Sequence, residues 1–232
     1  MQTRNTNPRN RNFEYEKSLW NPLFLQYSFV IDAVKEYFEN LPKDRVLSIY
    51  DFGCGQKPYA VFVEKHKYIG IDIDEKNINA DIYADITKVP IESSVADIVT
   101  SFFVLEHVAE PQKVLDEMYR VLKEGGELFM LVPLYWEEHE QPNDFFRFTR
   151  FGIEKMLENS GFKEIEILEI NTNPSILGMH LARFFNRRFF KTLVPLINYF
   201  FYKMEKRTLN RARLNKTKLS NVMTFSVEAN KC

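Results

Sequence analysis

Two glycines, at 53 and 55, close a short apolar run, and an acid stands 21 residues after the one that precedes them. The run Val46-Leu47-Ser48-Ile49-Tyr50-Asp51-Phe52-Gly53-Cys54-Gly55 has the composition of a strand that ends in a sharp turn. Glycine at alternate positions lets bare backbone N–H groups meet a ligand that a side chain would hold away. The next run, Tyr68-Ile69-Gly70-Ile71-Asp72, is again strand-like. It carries Asp72 to a strand tip, where a carboxylate can accept hydrogen bonds from both hydroxyls of a ribose. A third turn, Ala84-Asp85-Ile86, follows. With eight glycines in 232 residues, the pair at 53 and 55 stands out from the background.

The loop beyond Gly55 separates two classes of nucleoside ligand. A dinucleotide fingerprint needs a third glycine for close helix packing beside a pyrophosphate, and here Gln56, Lys57, Pro58 and Tyr59 follow. An acid at 51 sits poorly beside a diphosphate and well beside an ammonium group. S-adenosylmethionine carries one.

The middle of the chain then reads Ala96-Asp97-Ile98-Val99, Val104-Leu105-Glu106-His107-Val108 and Arg120-Val121-Leu122-Lys123-Glu124-Gly125-Gly126. Over roughly residues 45–170 the chain resembles the class I S-adenosylmethionine-dependent methyltransferases. Its Leu-Glu-His-Val and Arg-Val-Leu-Lys-x-Gly-Gly segments are similar to those of a bacterial group acting on small molecules and glycans. The resemblance implies S-adenosyl-L-methionine as cofactor. It gives Asp51, Gly53 and Gly55 to the methionine end, Asp72 to the ribose and Asp85 to the adenine amine, with Cys54, Ile73, Ile86 and Phe102 as further cofactor residues. At Lys57 many members have another glycine.

Apolar runs at 46–50, 68–71, 82–84, 98–101, 128–132 and 163–170 alternate with helical segments, which argues for a mainly parallel sheet covered on both faces. The resemblance implies a doubly wound, seven-stranded Rossmann-like sheet with six parallel strands. The alternating run 222–229 is its antiparallel last strand. A helix is expected over 19–40, packing on the cofactor rim, and a second from near Pro111 to a stop at Gly125-Gly126. A third should run from a Thr149 cap to Gly161. The chain thus divides into a polar, disordered 1–12, a helical cover at 13–44, a cofactor-binding core at 45–170, an insert at 171–221 and the closing strand within 222–232.

Where this family has a short turn, the insert places 51 residues with 11 basic side chains and the single acid Glu205. Its net charge is +10, and the remainder of the chain carries −11. Aromatic and aliphatic residues share the segment with Arg183, Arg187 and Lys191 at four-residue steps. Two readings are open: a lid over the acceptor pocket, or a basic amphipathic element resting on an anionic membrane. A nucleic-acid partner is disfavoured. Cys54 and Cys232 have no metal or redox spacing, and no metal site is read from the sequence. A reducing, cytoplasmic setting is expected, with possible contact at the inner membrane face.

Methyl transfer asks for alignment and, where the acceptor carries a proton, a base. His139, in Tyr135-Trp136-Glu137-Glu138-His139-Glu140-Gln141-Pro142-Asn143-Asp144-Phe145-Phe146-Arg147-Phe148-Thr149, lies on the lip where open α/β sheets bind ligands and is the first candidate. His107, after the fourth strand, is the second. Tyr135, Asp144 and Arg147 are candidate acceptor contacts, and an ion pair between the last two is the competing reading. The Asn/Asp-Pro-Pro-aromatic turn of amino-group methyltransferases acting on adenine or glutamine is replaced by Ser101-Phe102-Phe103-Val104. Tyr119 and Lys123 match a dehydrogenase spacing without its glycine turn. The expected function is O-methylation of a small molecule or of a lipid-linked or glycan precursor. The alternatives are a cofactor-holding module without turnover, or a membrane- or nucleic-acid-associated methyltransferase.

Overall fold

The computed structural model describes residues 13–76, 79–186, 190–219 and 221–232. The disorder expected for 1–12, and the side chains of Arg187 and Arg188, lie outside the described residues. Seven strands form one sheet: β1 (Ser48–Phe52), β2 (Lys67–Asp72), β3 (Ile82–Tyr83), β4 (Ala96–Phe102), β5 (Leu122–Pro133), β6 (Lys163–Thr172) and β7 (Val222–Asn230). Their order across the sheet is β3-β2-β1-β4-β5-β7-β6. β1 to β5 pair in parallel, and β7 runs antiparallel to both of its neighbours.

Strict alternation along the central strands sorts side chains into two cores. Ile98, Phe129 and Leu131 face one side, and Val99, Leu128, Met130 and Val132 the other. Both faces are covered, so these strands read as continuous apolar runs. On the first side lies α2 (Phe24–Glu39), whose Leu25, Phe29, Val30, Val34 and Phe38 recur at helical steps; Tyr37 stacks on Phe129 with ring centroids 3.9 Å apart. The other side takes α3 (Pro111–Val121) and α4 (Arg150–Ser160). The Thr149 hydroxyl accepts from Gly152 N at 3.0 Å at the start of α4, and Gly161 ends it in the left-handed conformation.

Two expected boundaries move. The first main helix begins at Phe24 rather than 19, because Pro22 donates no N–H and disfavours a helical residue before it; α1 (Phe13–Glu16) and turns precede it. Gly125-Gly126 do not stop a helix. α3 already ends at Val121, and both glycines lie inside β5. A Cβ at Gly126 would come 2.8 Å from Lys123 O and 3.2 Å from Asp97 O, so that position accommodates the irregular register between Ala96 and Ile98.

The insert between β6 and β7 consists of α5 (Asn173–Phe185), a short 3₁₀ turn and α6 (Val194–Asn215). Its lone acid anchors it. Glu205, fully buried, accepts from Thr172 N and Oγ1 at 2.9 and 2.8 Å and from Ser175 N at 2.8 Å, so a carboxylate on α6 satisfies the orphan donors at the start of α5. Asn198 Nδ2 donates to Leu19 O and Asn21 O at 2.8 Å, and Asn171 Nδ2 to Leu25 O at 2.9 Å. A Cβ on Gly178 would lie 2.4 Å from Leu25 Cδ1 and 2.6 Å from Phe201 Cβ. These contacts tie the insert to the sheet and the amino-terminal helices.

Candidate active site

At the carboxyl ends of β1, β2 and β4 a cavity of about 1300 Å³ opens. This is the rim where parallel sheets present main-chain groups to ligands. Asp51, 1% exposed, accepts from Thr100 Oγ1 at 2.8 Å and from Tyr68 OH at 2.5 Å. Burial pushes its carboxyl up to about 7, against those two hydrogen bonds. Gly53, with φ +75°, has no room for a Cβ, which would lie 2.5 Å from both γ carbons of Val104. Gly55, with φ +50°, is the reverse: nothing stands within 4 Å of where its Cβ would be, and it lines the cavity. Lys57 also has a positive φ, 52°, a conformation that favours glycine.

Asp72, at the tip of β2, accepts from Gly55 N at 2.8 Å and from Asp74 N at 2.9 Å, which holds the glycine turn against the second strand. Asp85 accepts from Thr87 N and Oγ1 at 2.8 Å. Beside them Ile73 is 71% exposed, an apolar side chain standing against open space. All nine candidate cofactor residues line the one cavity: Asp51, Gly53, Cys54, Gly55, Asp72, Ile73, Asp85, Ile86 and Phe102. They fit S-adenosylmethionine in kind, with an acid for its ammonium, a bare turn for close approach, acids for ribose and adenine, and apolar faces for the base. Thr100 and Tyr68, which hold Asp51, were not singled out by sequence reasoning; their only signal was apolar-face placement on neighbouring strands.

The other end of the cavity is built from side chains on the loop after β5. Arg147 grips Asp144 through two nitrogens at 2.7 and 2.8 Å and donates to Trp136 O at 3.2 Å and Glu137 O at 3.0 Å. The guanidinium holds the Asp144 carboxyl well below the usual range. Neither residue lines the cavity, so in place of the acceptor contact held open for them they make an ion pair that shapes the loop. Asp144 also accepts from His139 N at 2.9 Å. His107 and His139 do line the cavity, and their Nε2 atoms meet at 3.1 Å. Tyr135 lines it too, and its hydroxyl bonds His180 Nε2 of α5 at 2.8 Å.

Glu106 was not singled out from the sequence. It is 1% exposed, lines the cavity, and is pushed up to about 8 by burial. Its Oε2 has no hydrogen-bond partner among the described residues. The signal was present as a charged residue beside His107 in the mainly apolar Val104-Leu105-Glu106-His107-Val108 turn. The lid expectation fails for this cavity. Among the described residues of 171–221 none lines it, and its cover is the amino-terminal segment, through Leu23, Gln26, Tyr27 and Val30.

A family model described as "Methyltransferase domain" matches residues 50–130. Among curated relatives, the demethylmenaquinone methyltransferase of Clavibacter sepedonicus is 47% identical over 47 residues, covering 20% of this chain and 19% of that protein. The ubiquinone biosynthesis O-methyltransferase of Pseudomonas entomophila (strain L48) is 33% identical over 85 residues, 37% and 34% of the two chains. The matched parts thus span no more than 34% of either relative. A structure of Haemonchus contortus phosphoethanolamine N-methyltransferase 2 in complex with S-adenosyl-L-methionine superposes on 96% of this chain and 60% of its own, with TM-score 0.59 at 15% identity, which is a likeness of fold. The matched segment is thus a methyltransferase domain, and the strand order and glycine turn around it are similar to those of the class I, S-adenosylmethionine-dependent methyltransferases.

Proposed function

We propose that the chain transfers a methyl group from S-adenosylmethionine to an oxygen of a small molecule or of a lipid-linked or glycan precursor, held at the histidine end of the cavity. The observation that carries this reading is continuity: the glycine turn and the two histidines line one space. The cofactor, once bound, supplies a methyl already activated on a sulfonium. The residues that would hold it are Asp51, Asp72 and Asp85, with Ile73, Ile86 and Phe102 about the base. What remains is to orient the acceptor and remove its proton. His139 is the candidate for that step, its backbone tied to Asp144. One matched relative is named a demethylmenaquinone methyltransferase and one a ubiquinone biosynthesis O-methyltransferase, while the structural neighbour is an N-methyltransferase, so the oxygen is argued from a base placed for a hydroxyl proton and not from them. Methyl transfer from labelled cofactor to a panel of hydroxylated aromatics, polyprenyl-linked sugars and free glycans tests it. Labelling of amines alone would refute the oxygen.

A second property is carried by the insert. Leu177, Phe184, Phe190, Leu196 and Phe200 are all more than half exposed on a segment of net charge +10. No described helix is long and apolar enough to cross a membrane. Peripheral contact with an anionic bilayer fits this surface, each nearby basic residue contributing about 1 kcal/mol. Flotation with vesicles rich in anionic lipid, expected at low salt and lost at high salt, tests it.

A further inference from the structure

We infer that Glu106, His107 and His139 form a site for one divalent transition-metal ion of the zinc type at the acceptor end of the cavity. The nitrogens carry the argument. His107 Nδ1 lies 2.7 Å from Asn143 O, while His139 Nδ1 lies 3.1 Å from Glu137 O and 3.4 Å from the Asp144 carboxylate. All three partners accept only, so each Nδ1 is the protonated nitrogen and each Nε2 carries a lone pair. Those two lone pairs face each other across 3.1 Å. Such an approach is repulsive unless a positive charge lies between them. Two imidazole nitrogens about 2.0–2.1 Å from one metal and this far apart would subtend roughly 100° at it, close to a tetrahedral angle.

Glu106 completes the set. Its side chain is 1% exposed, Oε2 has no hydrogen-bond partner among the described residues, and Oε1 is 3.9 Å from His107 Nε2. One ligand atom from each residue falls within 4.8 Å of the others. That is wider than a filled site, so the carboxylate swings inward on binding. The acceptors on both Nδ1–H groups are the outer partners that orient metal-binding histidines. Two imidazoles and one carboxylate, with the cavity side open, match the three-ligand pattern of catalytic zinc sites and favour a borderline ion over magnesium, which prefers oxygen ligands. No spacing announces the grouping, since the histidines are 32 residues apart in the chain.

The chemical consequence rests on the methyl-transfer reading above and changes the part His139 plays in it from base to metal ligand. An acceptor hydroxyl at the open position loses its proton to solvent more readily. As its oxygen bonds to the methyl carbon, the carbon–sulfur bond breaks and its electron pair stays on sulfur. Metal binding itself does not depend on that reading.

The test uses the full chain, stripped with chelator and shown to be folded, and titrated with Co²⁺ alone. One Co²⁺ per chain is expected, with the visible absorption of nitrogen- and oxygen-ligated cobalt, displaced by Zn²⁺. His139→Ala, on a partly exposed loop, should weaken binding by roughly 100-fold, and Glu106→Gln at least tenfold with the melting temperature held. Calorimetry with S-adenosylhomocysteine on the same samples reports the cofactor end, so loss of one assignment is distinguishable from loss of the other. No saturable cobalt binding by the wild type, or binding indifferent to His139→Ala, would overturn the site. In that case the two histidines share a proton instead.

Discussion

The two ends of the cavity are built by different means. At the cofactor end, three strand tips aim short segments of backbone: Gly55 is bare, Gly53 is closed off by Val104, and Asp72 bonds the turn itself. At the acceptor end the turn after β4 brings in Glu106 and His107, and a 16-residue stretch between β5 and α4, shaped by Arg147 on Asp144, brings in Tyr135 and His139. A site built from strand ends is fixed once the sheet forms. One built on a loop depends on its internal ion pair, and this is where acceptor choice can vary without disturbing the cofactor.

If the two ends are separable, variants should strike one and spare the other. His139→Gln is expected to lower turnover about 100-fold or more, with affinity for S-adenosylhomocysteine unchanged, read by steady-state kinetics beside calorimetry. Asp144→Asn should act in the same direction by about tenfold, because the bidentate pair and the bond to His139 N both weaken. A loss of cofactor binding in either variant would show that the ends are coupled.

The converse change is Asp72→Ala, which removes the acceptor of Gly55 N and, on the proposed function, the charged partner of two ribose hydroxyls. Bonds to charged groups contribute roughly 1.5–3 kcal/mol, so affinity should fall at least tenfold. A smaller effect comes from Asp51. Its carboxyl, raised to about 7 by burial, is largely neutral at pH 6 and largely ionised at 7.5. The ionised form is the one that attracts the ammonium of the cofactor, so binding below pH 7 must release a proton and affinity must rise with pH. Calorimetry should find binding roughly eightfold tighter at pH 7.5 than at 6, and Asp51→Asn should flatten the profile.

Much of the first end was legible because its determinants are local. Gly53, Gly55 and Asp72 fall at fixed distances along two strands, and a strand fixes where its tip points. Lys57 was readable only as a departure, although its positive φ preserves the turn. The acceptor end depends on contacts between residues far apart in sequence. Glu106 looked like one charged residue in a mainly apolar turn, and nothing local pairs it with His139. Asp144 and Arg147 allowed two readings, and only their geometry favoured the ion pair. For the insert, charge and aromatic content revealed an amphipathic pair of helices, but where that pair sits is decided by the packing of α5 against α2 and α6 at Gly178.

The separation of the two ends is tested most directly by one calorimetric series with S-adenosylhomocysteine on the wild type, Asp72→Ala and His139→Gln, each shown to be folded. At least a tenfold loss in Asp72→Ala, with His139→Gln within about twofold of the wild type, is the predicted result. Unchanged affinity in Asp72→Ala, or a comparable loss in His139→Gln, would contradict it.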